Sequence, residues 1–236
     1  MAFCHSEPCH SEFTCHSEPC HSEFTCHSEP FHSEFTSHSE FTCHSERSEE
    51  SMRIAVYSGS FNPLHIGHEA IIRFLTEKAG FDLVYLVVTP QNPFKDAHSL
   101  PFGKTRFDAA VEAVARHPEL KVVVKDTELH MTPPQYTIRT LDTLKAEEPE
   151  NSFTLVIGAD NLACFSGWRF HERILLDYGV VVFPRKGYHR GHAKARLMRV
   201  NPLYKIILLR APLVNISSTE IRNGLAEGKD MSKWLM

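Results

Sequence analysis

Two histidines three residues apart, His65 and His68, flank Gly67. They close the run Gly59-Ser60-Phe61-Asn62-Pro63-Leu64-His65-Ile66-Gly67-His68, which follows a short apolar stretch, Arg53 to Tyr57. Gly59 permits a tight turn, and Gly67 removes a side chain where a helix would begin. A helix start presents unpaired N–H groups and partial positive charge, a ready site for an anion. Imidazoles one helical turn apart face the same group. The chemistry that fits is phosphoryl or nucleotidyl transfer, where charge builds on phosphate oxygens and electrostatic stabilisation dominates. A metal pair or two surface histidines are the competing readings, and the strand–turn–helix context favours phosphate.

The elements that would hold this turn are legible as apolar spacing. Strands are expected at 53–57, 82–88, 121–124, 153–157, 179–183 and 205–209, and helices over 66–79, 104–116, 136–145, 168–176 and 218–226. Strands alternating with helices imply an α/β domain with a doubly wound parallel sheet. In such sheets ligands bind beyond the carboxyl ends of the strands, at the switch point. The loops to search are therefore 58–68, 89–96, 125–135, 158–168, 184–192 and 210–218.

The 236 residues divide unevenly. Residues 1–51 carry six of the seven cysteines and eight of the sixteen histidines; one base against ten acids gives them a formal charge of −9. A Cys-His-Ser-Glu unit recurs there with an 11-residue period from Cys4, Cys15 and Cys26, interrupted by Pro8, Pro19 and Pro30. Proline inside a helix costs about 3 kcal/mol, and low hydrophobicity with high charge predicts disorder. Adjacent Cys-His pairs do not match the spaced ligands of structural zinc sites. The repeat reads as a disordered tail or as translated repetitive DNA ahead of a true start at Met52, with metal binding as the alternative. Residues 52–236, at +5, form the expected catalytic domain. That small excess suits a nucleotide and is too weak to indicate nucleic acid. No apolar run reaches about 18 residues and no secretory leader is recognisable, so a cytoplasmic protein without membrane contact is expected. The domain's single cysteine, Cys164, excludes an internal disulfide there.

His65-Ile66-Gly67-His68 after a first strand resembles the signature of the nucleotidyltransferase superfamily, shared with class I aminoacyl-tRNA synthetases. The longer Gly59–His68 run resembles the nicotinate-nucleotide adenylyltransferases, which join ATP and nicotinate mononucleotide. Four further stretches resemble that family in order, over about residues 53–228: Pro90-Gln91-Asn92-Pro93-Phe94-Lys95, Pro134-Gln135-Tyr136-Thr137, Gly158-Ala159-Asp160-Asn161 with Phe165 and Trp168, and Ile216-Ser217-Ser218-Thr219-Glu220-Ile221-Arg222. The resemblance implies a Rossmann-like nucleotidyltransferase fold and adenylyl transfer with Mg²⁺ accompanying ATP and no protein metal site. It implies His65, His68 and Arg222 as catalytic groups, with Arg222, Ser218 and Thr219 at the β,γ-phosphates. Gly59, Ser60, Phe61, Gly67, Asp160 and Ile216 complete the implied ATP site. Asn62, Lys95, Tyr136, Thr137 and Trp168 form the implied acceptor site, where an indole face suits a flat pyridine ring.

Each of these residues also has a structural reading. Trp168 alone reads as core, Tyr136 as helix-start packing, Lys95 as a solvated lysine, and the serines as helix caps. Many family members carry Asp at the position of Asn62, and a second proline and a histidine before the basic residue of the acceptor loop. The chain also stops at Met236, about one short helix or strand before the family pattern ends. A close alternative is an enzyme acting on nicotinamide mononucleotide or phosphopantetheine. An alternative of another class is a non-catalytic metal-binding protein acting through the repeat. A homo-oligomer is left open.

Overall fold

The computed structural model describes residues 51–90, 103–212 and 216–236. The repeat at 1–50 and the expected acceptor lysine, Lys95, lie outside the described residues.

Six parallel strands form one sheet: β1 Arg53–Gly59, β2 Leu83–Val88, β3 Val122–Lys125, β4 Ser152–Gly158, β5 Val180–Phe183 and β6 Ile206–Leu208. The helices between them are α1 Ile66–Glu77, α2 Gly103–Ala115, α3 Thr137–Glu147, α4 Ala159–Ala163, the short α5 His171–Arg173, α6 Arg190–Val200 and α7 Ser218–Ala226. The strand order is β3-β2-β1-β4-β5-β6. The chain therefore winds outward from β1 in one direction, then crosses back to β4 and winds in the other. The gap between the carboxyl ends of β1 and β4 is the switch point at which such sheets bind ligands.

Alternation along the strands builds a core on each face. Ile54 and Val56 of β1, Leu155 and Ile157 of β4, and Val180 and Val182 of β5 pack with Ile138, Leu141 and Leu144 of α3 and Leu197 of α6. Ala55, Leu86, Val156, Val181 and Phe183 point the other way, against Ile72 and Leu75 of α1 and Ala110 and Ala113 of α2. The parallel α/β expectation is met.

The differences are local. β1 runs two residues beyond the expected Tyr57, because Ser58 and Gly59 still pair with Val87 and Val88 of β2. The helix expected at 168–176 starts at His171 and widens into a π turn at Ile174–Tyr178. Helix α6 was not expected. Its sequence has four basic residues and only Leu197 fully buried, so no apolar stripe announces it. Among the described residues no helix is long and apolar enough to cross a membrane.

Candidate active site

A cavity of about 290 Å³ opens at the switch point. Its walls are the carboxyl ends of β1, β4 and β5 and the starts of α1 and α7. Of the residues expected from the sequence, Gly59, Ser60, Phe61, His65, Gly67, His68, Ile216, Ser218 and Thr219 line it.

The two histidines cap their own helix. The Gly67 N–H donates to His65 Nδ1 at 3.1 Å, and the His65 N–H donates to His68 Nδ1 at 3.2 Å. Each Nδ1 is therefore an acceptor, and a neutral imidazole with an accepting Nδ1 must carry its proton on Nε2. The rings lie 3.8 Å apart between centroids. Burial is the main force that pulls the His65 pKa down to about 4, with the Arg185 guanidinium adding to it. Burial, His65 and Arg185, in that order, hold His68 well below the ordinary histidine value. At neutral pH the site presents two uncharged Nε2–H donors.

Glycines make this arrangement possible. A Cβ on Gly67 would lie 2.8 Å from His65 Cε1 and 2.9 Å from Nδ1, inside the space the capping imidazole fills. A Cβ on Gly59 would meet the Phe61 ring at 3.0 Å. Phe61 itself has φ 41°, a left-handed conformation that costs a residue with a Cβ about 1–2 kcal/mol. Its buried ring offsets that cost by packing edge-on against Tyr57 and His68, at 5.4 and 5.3 Å.

Two further contacts fix the turn from outside. The buried Arg106 of α2 donates to the carbonyls of Ser60, Thr89 and Pro90, which ties the carboxyl ends of β1 and β2 together. From α7, Ser218 Oγ donates to the Pro63 carbonyl at 3.1 Å, and Arg222 Nη1 donates to the Asn62 carbonyl at 2.7 Å. Arg222 Nη2 also reaches Thr219 Oγ1 at 3.1 Å. The capping role belongs to Ser217, whose Oγ accepts the Glu220 N–H at 3.2 Å. Arg222 and Asn62 are not among the residues that line the described cavity.

Asp160 is not among the lining residues either, although its neighbours Gly158 and Asn161 are. One of its oxygens is enclosed without a hydrogen-bond partner among the described residues, 3.8 Å from Arg185 Nε. The residues expected on the acceptor side are elsewhere. Tyr136 precedes α3 and is exposed, Thr137 begins that helix, and Trp168 stacks on Phe165 at 4.9 Å against the core. None of the three lines the described cavity.

Sequence reading missed Arg185, which lines the cavity just beyond β5. A signal existed: no Asp or Glu occurs between Asp177 and Glu220, so this flank of the domain is uniformly basic.

Comparison with known proteins bears on this geometry. The cytidylyltransferase-like family model matches residues 56–224. A protein of Bacteroides fragilis named as a probable nicotinate-nucleotide adenylyltransferase is 39% identical over 78% of this chain and 87% of its own length. A Cytophaga hutchinsonii protein of the same name is 38% identical over 76% of this chain and 89% of its own. In structure, the Plasmodium falciparum nicotinic acid mononucleotide adenylyltransferase complexed with NaAD superposes with a TM-score of 0.62, at 23% identity, over 78% of this chain and 90% of that one. This last likeness speaks for the fold.

Two outcomes follow from the imidazole cap. In Gly67→Ala the new Cβ displaces the His65 ring, so turnover is expected to fall by about 10²-fold, the loss seen when one charge-stabilising donor is misplaced; turnover within threefold of wild type would show that the ring can move freely. The second outcome concerns stability. In the folded chain the His65 pKa is pulled down to about 4 and that of His68 well below its ordinary value, whereas an unfolded histidine titrates near 6.5. Between those values the unfolded chain binds more protons, so stability is full above about pH 6.5 and declines toward pH 4. Urea unfolding across that range is expected to show a shallower decline in His65→Asn/His68→Asn, since Asn keeps an accepting oxygen and does not titrate. An identical decline in both proteins would show that the pair is not held neutral.

Proposed function

The chain belongs to the cytidylyltransferase-like family and, within it, to the nicotinate-nucleotide adenylyltransferases, and from that premise we propose how its residues carry out the reaction. The enzyme transfers AMP from ATP to nicotinate mononucleotide, giving nicotinate adenine dinucleotide and pyrophosphate in NAD biosynthesis. A phosphate oxygen of the mononucleotide attacks the α-phosphorus of ATP in line. The bond from that phosphorus to the oxygen bridging to the β-phosphate breaks, and pyrophosphate leaves with the electron pair. The nucleophile is already an anion, so no general base is required.

The observation that carries the assignment of roles is the pair of Nε2–H donors at the switch point. With each Nδ1 occupied by a backbone N–H, His65 and His68 are placed to donate to the non-bridging α-phosphate oxygens as their charge grows. Such donors act most strongly in a site that excludes water. The starts of α1 and α7 supply further N–H groups to the triphosphate. Ser218, Thr219 and Arg222 take the β,γ-phosphates; Arg222 uses two of its five N–H donors on Asn62 and Thr219. Arg185 joins them as a second cation. Gly59, Ser60, Phe61, Gly67, Asp160 and Ile216 enclose the adenylate. Asn62, Lys95, Tyr136, Thr137 and Trp168 serve the acceptor, a reading supported by the family motifs that these residues match.

Nucleotidyltransferases of this kind generally use a divalent metal with ATP. No carboxylate lines the described cavity. The three-residue group of potential ligands among the described residues, Glu69, His117 and Glu119, is not part of it. The cavity lining would suit a magnesium ion brought in with ATP and held through the triphosphate, whose charge it would partly neutralise.

Pyrophosphate release from ATP, measured with nicotinate mononucleotide, nicotinamide mononucleotide or phosphopantetheine as acceptor, tests the substrate. The acid mononucleotide is expected to give the highest kcat/KM, and a preference for either rival would displace this reading. In the same assay His68→Ala is expected to lower turnover by about 10²-fold or more. A rate near that of wild type would remove His68 from the chemistry.

A further inference from the structure

One buried acid takes no part in the mechanism above. Glu128 lies in a short 3-10 turn, Thr127–Leu129, beyond β3, and is 2% exposed. Its Oε1 accepts two hydroxyl hydrogen bonds, from Ser58 Oγ at 3.1 Å and from Thr140 Oγ1 at 2.9 Å. Its Oε2 is enclosed and has no partner among the described residues. No ion pair to it occurs among the described residues either. An ionised carboxylate in that setting would leave a buried charge unpaired, which is strongly unfavourable. Burial accordingly raises the Glu128 pKa, against the smaller opposing pull of the two hydroxyls.

The partners give this acid a position in the site. Ser58 is the penultimate residue of β1 and lines the cavity. Thr140 is in the first turn of α3, which opens with Tyr136 and Thr137. The turn that carries Glu128 sits between them, so one carboxyl group spans the ATP side and the acceptor side of the reaction. We propose that Glu128 is a positioning residue for the acceptor: through Ser58 and Thr140 it fixes the start of α3 against the carboxyl end of β1. The inference rests on the reading of Tyr136 and Thr137 as acceptor residues.

The required properties are the length of the side chain and an oxygen that accepts from both hydroxyls. A glutamine has both, since its amide oxygen can accept from the two hydroxyls. Aspartate keeps the carboxyl but is one methylene too short to span the gap. Loss of the bridge lets α3 shift relative to β1, which weakens acceptor binding and leaves the triphosphate contacts of α1 and α7 intact.

Steady-state kinetics on the full chain, with ATP and nicotinate mononucleotide varied separately, test this. Glu128→Ala and Glu128→Asp are expected to raise KM for the mononucleotide about tenfold, the effect of losing one to two hydrogen bonds, with KM for ATP changed less than twofold. Glu128→Gln restores the mononucleotide KM to within threefold of wild type. Thr140→Val, which removes one hydroxyl at constant shape, raises the same KM severalfold and serves if Glu128→Ala does not fold. Equal effects on both substrates, or failure of Glu128→Gln to rescue a folded protein, would overturn the proposal. Tyr136→Ala separates the two readings. If it leaves the mononucleotide KM unchanged, the acceptor assignment has failed; if it raises that KM while Glu128→Ala and Thr140→Val do not, the assignment stands and the role of Glu128 has failed.

Discussion

The reciprocal cap at the start of α1 is the interaction on which the site depends. A helix start normally borrows a hydroxyl or carboxylate to satisfy its free N–H groups. Here two imidazoles do that work, and the consequence is chemical as well as structural. Because each Nδ1 is committed to a backbone N–H, the tautomer of each ring is set before substrate arrives. The proton on Nε2 is the only one each neutral ring can offer. A cap made from serine or aspartate would hold the helix equally well and give the substrate nothing.

That cap survives only because the backbone beneath it is bare and the loop before it is held. Gly67 leaves the space that the His65 ring occupies. The strained Phe61 turn is clamped from two sides, by the buried Arg106 through three carbonyls and by Ser218 and Arg222 through two more. Fixing a turn with side chains from α2 and α7 has a structural result. The carboxyl ends of β1 and β2 and the start of α7 are joined by these contacts to the turn between them. Arg106 and Arg222 both donate to carbonyl oxygens, which bear partial negative charge.

The sheet was legible in the sequence because burial on both faces makes parallel strands short continuous apolar runs, and glycines and prolines separate them. The cavity-lining turn was legible because His-x-Gly-His compresses a strand end, a bare backbone and two cavity-lining rings into one segment. What could not be read depends on contacts between distant segments. Helix α6 buries little, so its basic face carried no periodic signal. Arg185 is one base in a basic stretch, and only the parallel pairing of β4 with β5 brings it beside Asp160 and the histidines. Glu128 looks like any acid in a loop until β1 and α3 close around it. Ser217 and Ser218 were indistinguishable as neighbours, yet one caps α7 and the other reaches back to Pro63. Arg222 looked misplaced near a helix start, and the structure shows one of its N–H groups donating to the Asn62 carbonyl.

The electrostatic plan of the cavity follows from what the substrates bring. ATP and a mononucleotide carry several negative charges into one small space, and a divalent metal on the triphosphate cancels only part of them. Charged histidines would attract that ground state strongly, before any charge has moved. Neutral N–H dipoles attract it less, and they gain as charge shifts onto the α-phosphate oxygens, which is the condition for speeding the step rather than merely tightening binding. Fixed positive charge enters the cavity wall instead from Arg185, just beyond β5. Burial keeps the histidine pair neutral, Arg185 reinforces that state, and the cap orients the resulting donors. The same three features therefore set the protonation state, the direction of the hydrogen bonds and the division of labour between binding and chemistry.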